Sequence, residues 1–275
     1  SCCSGLDIYE ARRVAQKLDI PHYVFNYEKN FKKDVIDYFI DSYANGDTPI
    51  PCIKCNETVK FRDLMDFAKK LEADCMATGH YVKREGAVDK ALMFRANDKT
   101  KDQSYFLFAT TQEQLDFLRF PLGSLTKNET RDFAKKLGLN VHDKKDSQDI
   151  CFIPNGDYKS FIKLNAKEGN VIDKSGKVLG KHDGIHNFTI GQRRGMGIAS
   201  EKPLYVVDII KDTNEIIVGD KEHLLGQSLI LDELNFIMPD IDISAPTLKI
   251  KCSAKIRSLS TPSEGTLYKK ENTYS

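Results

Sequence analysis

Apolar positions along the first part of the chain recur at helical spacing and break at turn residues. Ile8, Ala11, Val14, Ala15 and Leu18 share one face of a helix predicted over 7–18, and His22-Tyr23-Val24-Phe25 follows as a short strand. A second amphipathic helix carries Phe31, Val35, Ile36, Phe39 and Ile40 and stops near Asn45-Gly46. The Pro49/Pro51 loop then delivers Cys52 and Cys55, after which Val59, Leu64, Phe67 and Leu71 continue as a third helix with Asn56 as its cap. That cap puts Cys55 at a helix N-terminus, where unpaired N–H groups favour a thiolate. Ala73-Asp74-Cys75-Met76-Ala77-Thr78 reads as a buried parallel strand ending at Gly79-His80, the edge at which α/β sheets hold ligands.

A hairpin around Glu85-Gly86 is expected between Tyr81 and Arg95, and a capped helix from about Lys127 to Leu137, stopped by Gly138. Beyond about residue 163 the rhythm changes to short β-branched segments, among them Val178-Leu179, Leu204 to Val207 and Glu215 to Val218. The expected organisation is an α/β domain with a parallel sheet over 1–163, a small linking domain over 164–222 and an incomplete β unit over 223–275. The opening Ser1-Cys2-Cys3-Ser4, with no methionine and no strand before the first helix, and the end at Tyr274-Ser275 read as cuts from a longer protein.

Composition narrows the classes. In 275 residues no apolar run is long enough to span a bilayer, so no membrane role is expected. A net charge of +1 excludes a globally basic nucleic-acid binder but leaves local patches at Lys101, Arg193-Arg194 and Lys255 to Arg257. Seven cysteines, an odd number without a signal peptide, fit a reducing cytoplasm better than a disulfide framework.

Cys52 and Cys55 form a C-x-x-C pattern that redox, zinc and iron–sulfur sites share. A structural zinc needs a second ligand pair at short spacing, and His80 and His142 stand isolated. A thioredoxin-like site needs the motif directly after a strand, whereas here it follows a proline loop. Cys151 follows Lys144 and Lys145, whose charge lowers a thiol pKa; the alternative for it is a buried strand cysteine, which is also the reading of Cys75. Cys2, Cys3 and Cys252 carry no partner signal. The segment Lys99 to Leu107 mixes charge, amide and aromatic groups suited to phosphate and base contacts, or to a solvated edge beside a core helix. Gly191-Gln192-Arg193-Arg194-Gly195 is either a phosphate-approaching loop or a basic turn.

Taken together, Thr48-Pro49-Ile50-Pro51-Cys52-Ile53-Lys54-Cys55-Asn56, Ala77-Thr78-Gly79-His80-Tyr81, Lys101-Asp102-Gln103-Ser104-Tyr105-Phe106-Leu107, Asp146-Ser147-Gln148-Asp149-Ile150-Cys151-Phe152-Ile153 and Thr189-Ile190-Gly191-Gln192-Arg193-Arg194-Gly195 resemble the bacterial tRNA-specific 2-thiouridylases. The motifs stand in the family's order and span nearly the whole chain. The resemblance implies an adenine-nucleotide hydrolase-like α/β domain lacking its first strand and nucleotide loop, a small central domain and an incomplete C-terminal β-barrel.

It also implies a reaction. ATP, with Mg²⁺, would adenylate the C2 oxygen of the tRNA wobble uridine; Cys151 would carry sulfur as a persulfide from a desulfurase or sulfur carrier, and Cys55 would release it by closing a Cys55–Cys151 disulfide. Gly79 would approach ATP. Ile50, Pro51 and Cys52 would border the flipped uridine, and His80, Lys101, Asp102, Gln103, Arg257 and Ser258 would contact tRNA. Cys52 stands where the family often has aspartate and Ser258 where it often has an aromatic residue, so an iron–sulfur cluster on Cys52, Cys55 and Cys151 is the alternative route. The family's Ser-Gly-Gly-Val-Asp-Ser loop is absent, so this piece is expected to bind ATP poorly and turn over little. A non-catalytic RNA-binding module and a thiol–disulfide oxidoreductase pairing Cys52 with Cys55 complete the expectations.

Overall fold

The computed structural model describes residues 5–144, 146, 150–153, 156–162, 167–237, 241, 242, 244–270 and 273–275. They fall into two compact units: Ser1–Phe31, Cys52–Cys151 and Ile230–Ser275 make the first, Lys32–Pro51 and Phe152–Leu229 the second. Each unit is thus gathered from separated stretches of chain.

In the first unit the opening helix, Gly5–Lys17, forms where its periodicity places it, burying Ala15. The strand expected at 22–25 does not form. It has no ladder partner among the described residues, and a strand without one leaves its N–H and C=O groups to water. Tyr23, Val24 and Phe25 accordingly stay exposed. The parallel sheet is a short pair, Met76–Ala77 beside Leu118–Arg119, with Met76 opposite Leu118. Cys75, expected inside a buried strand, precedes this pair and is exposed, because the ladder is too short to enclose it.

The hairpin forms from Val82–Glu85 and Leu92–Arg95. Its turn requires Gly86, which has φ +96° and where an added Cβ would lie 2.4 Å from the Lys90 carbonyl oxygen. Helices Gln112–Phe117 and Lys127–Lys136 each open with a capping box, Thr111 with Gln114 and Thr126 with Glu129, so two N–H groups at each start are satisfied locally. The latter ends before Gly138, in the left-handed region at φ +66°. Phe61, Val82, Ala91, Leu107, Leu115, Leu118 and Phe120 form the core. An antiparallel sheet of Thr247–Ala254, Ser263–Lys270 and Thr273–Tyr274 completes the unit; with three strands it does not close into a barrel.

The second unit is built on a four-stranded mixed sheet in the order Val178–His182, Gly169–Asp173, Glu215–Gly219, Tyr205–Ile210, in which the middle two run parallel. Val171, Ile185, Phe188, Met196, Val206, Ile216 and Val218 fill its core. Helix Tyr38–Ala44 groups with this unit by its contacts. Phe39, fully buried, meets Phe152 edge-on at 5.4 Å, and Tyr43 stacks on Tyr158 at 5.2 Å. It stops at Asn45 and Gly46, the glycine at φ +84°.

A candidate thiol and RNA site

The helix that carries the cysteine pair starts at Pro51, a residue whose fixed φ and missing N–H suit the first helical position. It continues through Cys55–Leu64, wound as a π-helix. Asn56 is therefore not its cap. Buried within the helix, Asn56 donates its amide to the Phe106 carbonyl at 3.1 Å and accepts from Lys60 Nζ at 2.9 Å. Cys52 consequently occupies the first turn and is exposed, while Cys55 lies beyond it, half-buried. The field of the helix end falls off within one turn, so it acts on Cys52 more than on Cys55, the reverse of the sequence expectation.

Cys151 is half-buried and belongs to the same compact unit as Cys52 and Cys55. Ser147, Gln148 and Asp149 of its motif, like Cys2 and Cys3, lie outside the described residues. Asp146, five residues before Cys151 in the sequence, is held from two sides. Its carboxylate accepts from Lys101 Nζ and Lys127 Nζ, both at 2.7 Å, and these lysines hold its pKa down to about 2. Lys144 pairs with Asp7 and Glu10 on the first helix. No group of three His, Cys, Asp or Glu among the described residues is arranged to hold a metal ion, so the three sulfurs as placed do not fit an iron–sulfur cluster.

Gly79 lies just past the parallel pair, where the Thr78 N–H still donates to the Arg119 carbonyl at 2.9 Å. The space beside its α-carbon is open, with Leu122 Cδ1 the nearest atom to an added Cβ at 3.8 Å. His80 turns inward. Thr78 Oγ1 and His80 Nδ1 are hydrogen-bonded at 2.8 Å, and the ring meets Phe61 edge-on at 5.8 Å.

The Lys101-Asp102-Gln103 motif is an internal clasp. Lys101 holds Asp146; Asp102 accepts from the Ala96 N–H at 3.0 Å and from Ser104 Oγ at 2.8 Å; Gln103 Oε1 accepts from the Tyr81 N–H at 2.8 Å. The three side chains thus bind the hairpin, the segment after Gly79 and Asp146 to one another. Arg257 is exposed and Ser258 half-buried in a turn closed by the Ser260 N–H donating to the Arg257 carbonyl at 3.0 Å. Ile50 is half-buried and Pro51 buried in the second unit. There, too, Gln192 stitches the glycine-punctuated loop, its side-chain amide donating to the Arg194 carbonyl at 2.8 Å and leaving Arg193 and Arg194 exposed.

Two family descriptions match this chain: a tRNA methyl transferase HUP domain over residues 1–155 and a tRNA methyl transferase PRC-barrel domain over residues 159–220. The chain is also 51% identical over 266 residues to the tRNA-specific 2-thiouridylase MnmA of Rickettsia massiliae, covering 95% of this chain and 72% of that protein. The chain belongs to the tRNA-specific 2-thiouridylase family. Members of the same name from Dinoroseobacter shibae, 52% identical over 97% of this chain and 71% of the relative, and Hyphomonas neptunium, 48% identical over 97% and 69%, agree.

For a 2-thiouridylase chain the sequence left one feature unseen: an open cleft of about 420 Å³ in the first unit, lined by Arg95, Ser104, Tyr105, Phe108, Ser253, Lys255 and Pro262. Its residues come from distant stretches, and no spacing rule joins them. The three aromatic residues in Ser104-Tyr105-Phe106-Leu107-Phe108 were the available signal.

Burial pushes the His80 pKa down to about 4, with the Lys60 charge adding to the effect. Between the unperturbed value near 6.5 and this one, the unfolded chain binds a proton that the folded chain refuses, so stability falls as pH drops through that window. The loss expected by pH 4 is roughly 3 kcal/mol, present in the wild type and removed in His80→Gln, as read from urea midpoints against pH. Equal pH slopes for the two proteins would refute the neutral buried histidine.

Proposed function

We propose that the chain is a tRNA-uridine 2-sulfurtransferase acting at the wobble position, with ATP as co-substrate, accompanied by Mg²⁺, and a cysteine persulfide as the immediate sulfur source. What carries this reading is the placement of two half-buried cysteines, Cys55 on a helix and Cys151, in one compact unit of a chain from the 2-thiouridylase family. Half-burial keeps a persulfide from bulk thiols yet within reach of a substrate atom.

The step balances as follows. A desulfurase or sulfur carrier leaves an extra sulfur on Cys151. Its terminal sulfur attacks C2 of the activated uridine, and the C2 oxygen departs with AMP. The Cys55 thiolate then attacks Cys151 Sγ, breaking the persulfide bond, leaving sulfur on C2 and closing a Cys55–Cys151 disulfide. An external thiol reductant resets the pair, which suits a reducing cytoplasm. No helix among the described residues is long and apolar enough to cross a membrane.

Gly79, with open space at the sheet edge, is proposed to face ATP. The described residues around it do not make a phosphate cradle by themselves: the adjacent imidazole is buried and neutral. Ile50, Pro51 and Cys52 are assigned to the uridine, and Lys101, Asp102, Gln103, His80, Arg257 and Ser258 to the tRNA surface. His80, Asp102 and Gln103 would shape that surface from within, given their internal hydrogen bonds.

The matched domains are named for methyl transfer and the relatives for thiolation, and the cysteines favour the latter. Full-length protein supplied with tRNA, ATP and a persulfide donor is expected to yield 2-thiouridine in nuclease digests analysed by mass spectrometry. A methylated nucleoside with no thiolated one would reverse the assignment.

A further inference from the structure

We infer that the cleft lined by Arg95, Tyr105, Phe108, Ser253 and Lys255 is a subsite for one unstacked nucleotide of the RNA substrate, held by ring stacking and by phosphate contacts. The assignment rests on the tRNA-modifying reading above and adds a second point at which the RNA is gripped, outside the cysteine pair.

Volume is the first support. At about 420 Å³ the cleft falls in the range of small-ligand sites, roughly 300–1,000 Å³, and suits a base with its sugar rather than a duplex. The rings are the second. Phe108 is 57% exposed although its backbone is fixed, its carbonyl accepting from Asn235 Nδ2 at 2.8 Å, so the ring is presented to solvent without serving the core. The Tyr105 hydroxyl donates to the Ile256 carbonyl at 2.9 Å, and its ring leans edge-on against Phe106 at 5.6 Å. A platform held this way loses little freedom when a base stacks on it.

Charge is the third. The Arg95 side chain is half exposed, and its ion pair with Asp102, at 3.7 Å, is long. Asp102 is only 7% exposed and its oxygens face the Ala96 N–H and Ser104, so the carboxylate itself is turned away from solvent while the Arg95 guanidinium is not. Arg95 and Lys255 line the cleft with cationic side chains, and Ser253 adds a hydroxyl. Cations beside exposed rings are the combination that grips single-stranded nucleic acid.

The test is equilibrium binding of unmodified tRNA transcript to the full-length wild type, Phe108→Ala, Phe108→Tyr, Arg95→Gln and, as a control on an exposed ring outside the cleft, Phe133→Ala. Phe108→Ala is expected to weaken binding roughly 5- to 150-fold, the scale of one lost stacking partner, while Phe108→Tyr restores it and Phe133→Ala matches wild type. Arg95→Gln should reduce the slope of log affinity against log salt by about 0.7, one phosphate contact to a single strand. Wild-type affinity in Phe108→Ala, or equal losses in Phe108→Ala and Phe133→Ala, would overturn the subsite while leaving the tRNA reading intact. Failure of the wild type itself to bind tRNA would instead sink the parent reading and the subsite with it.

Discussion

Cys151→Ser is expected to abolish 2-thiouridine formation, by roughly 10³-fold or more, since a serine hydroxyl cannot hold a persulfide sulfur. Cys55→Ser should be as inactive over many turnovers, for a different reason: sulfur can reach Cys151 but is not released from it. The two variants therefore separate in one readout. Incubated with the sulfur donor, Cys55→Ser should accumulate a persulfide on Cys151 visible by intact-mass analysis, and Cys151→Ser should not. Cys52→Ser, at a residue assigned to border the uridine, should weaken tRNA use while leaving persulfide loading of Cys151 and closure of the Cys55–Cys151 disulfide intact, because the described residues show no three-ligand set that would enlist its sulfur. Loss of activity in Cys52→Ser together with stoichiometric iron would favour the cluster route.

Phe61→Ala is expected to destabilise the first unit by about 3–5 kcal/mol, the scale for removing a buried aromatic side chain. Phe61 is 1% exposed at the centre of the core shared with Leu107, Leu115 and Leu118, and its ring walls off His80. Truncation opens a cavity and admits water to the imidazole, so the His80 pKa should rise from about 4 toward 6.5. Urea unfolding and histidine NMR titration read the two effects. An unchanged midpoint with an unchanged His80 titration would mean that the ring is not part of the packing that keeps His80 neutral.

Elements specified by neighbouring residues were legible in the sequence. The helix after Thr126 carries its cap and its stop within its own length, and the hairpin carries Gly86 at the position that admits no Cβ. Elements that depend on distant partners were misread. Residues 22–25 have strand-forming side chains but no ladder partner among the described residues, and Cys75 looks buried only if a longer sheet surrounds it. Asn56 has the chemistry of a cap, yet Phe106 takes its amide, and the helix reaches back to Pro51. The site divides along the same line. Its motifs were readable as residue strings, whereas the clasp made by Lys101, Asp102 and Gln103 exists only because Asp146, Ala96 and Tyr81 are brought beside them.

The central claim is that sulfur passes from Cys151 to uridine with Cys55 as the resolving thiol. A single turnover of the persulfide-loaded full-length protein with tRNA and ATP, quenched with a thiol-alkylating reagent and mapped by peptide mass spectrometry, addresses it most directly. The expected result is one Cys55–Cys151 disulfide formed for each 2-thiouridine produced. Thiouridine appearing while both cysteines remain alkylatable, or a disulfide joining Cys52 to Cys55 instead, would contradict it.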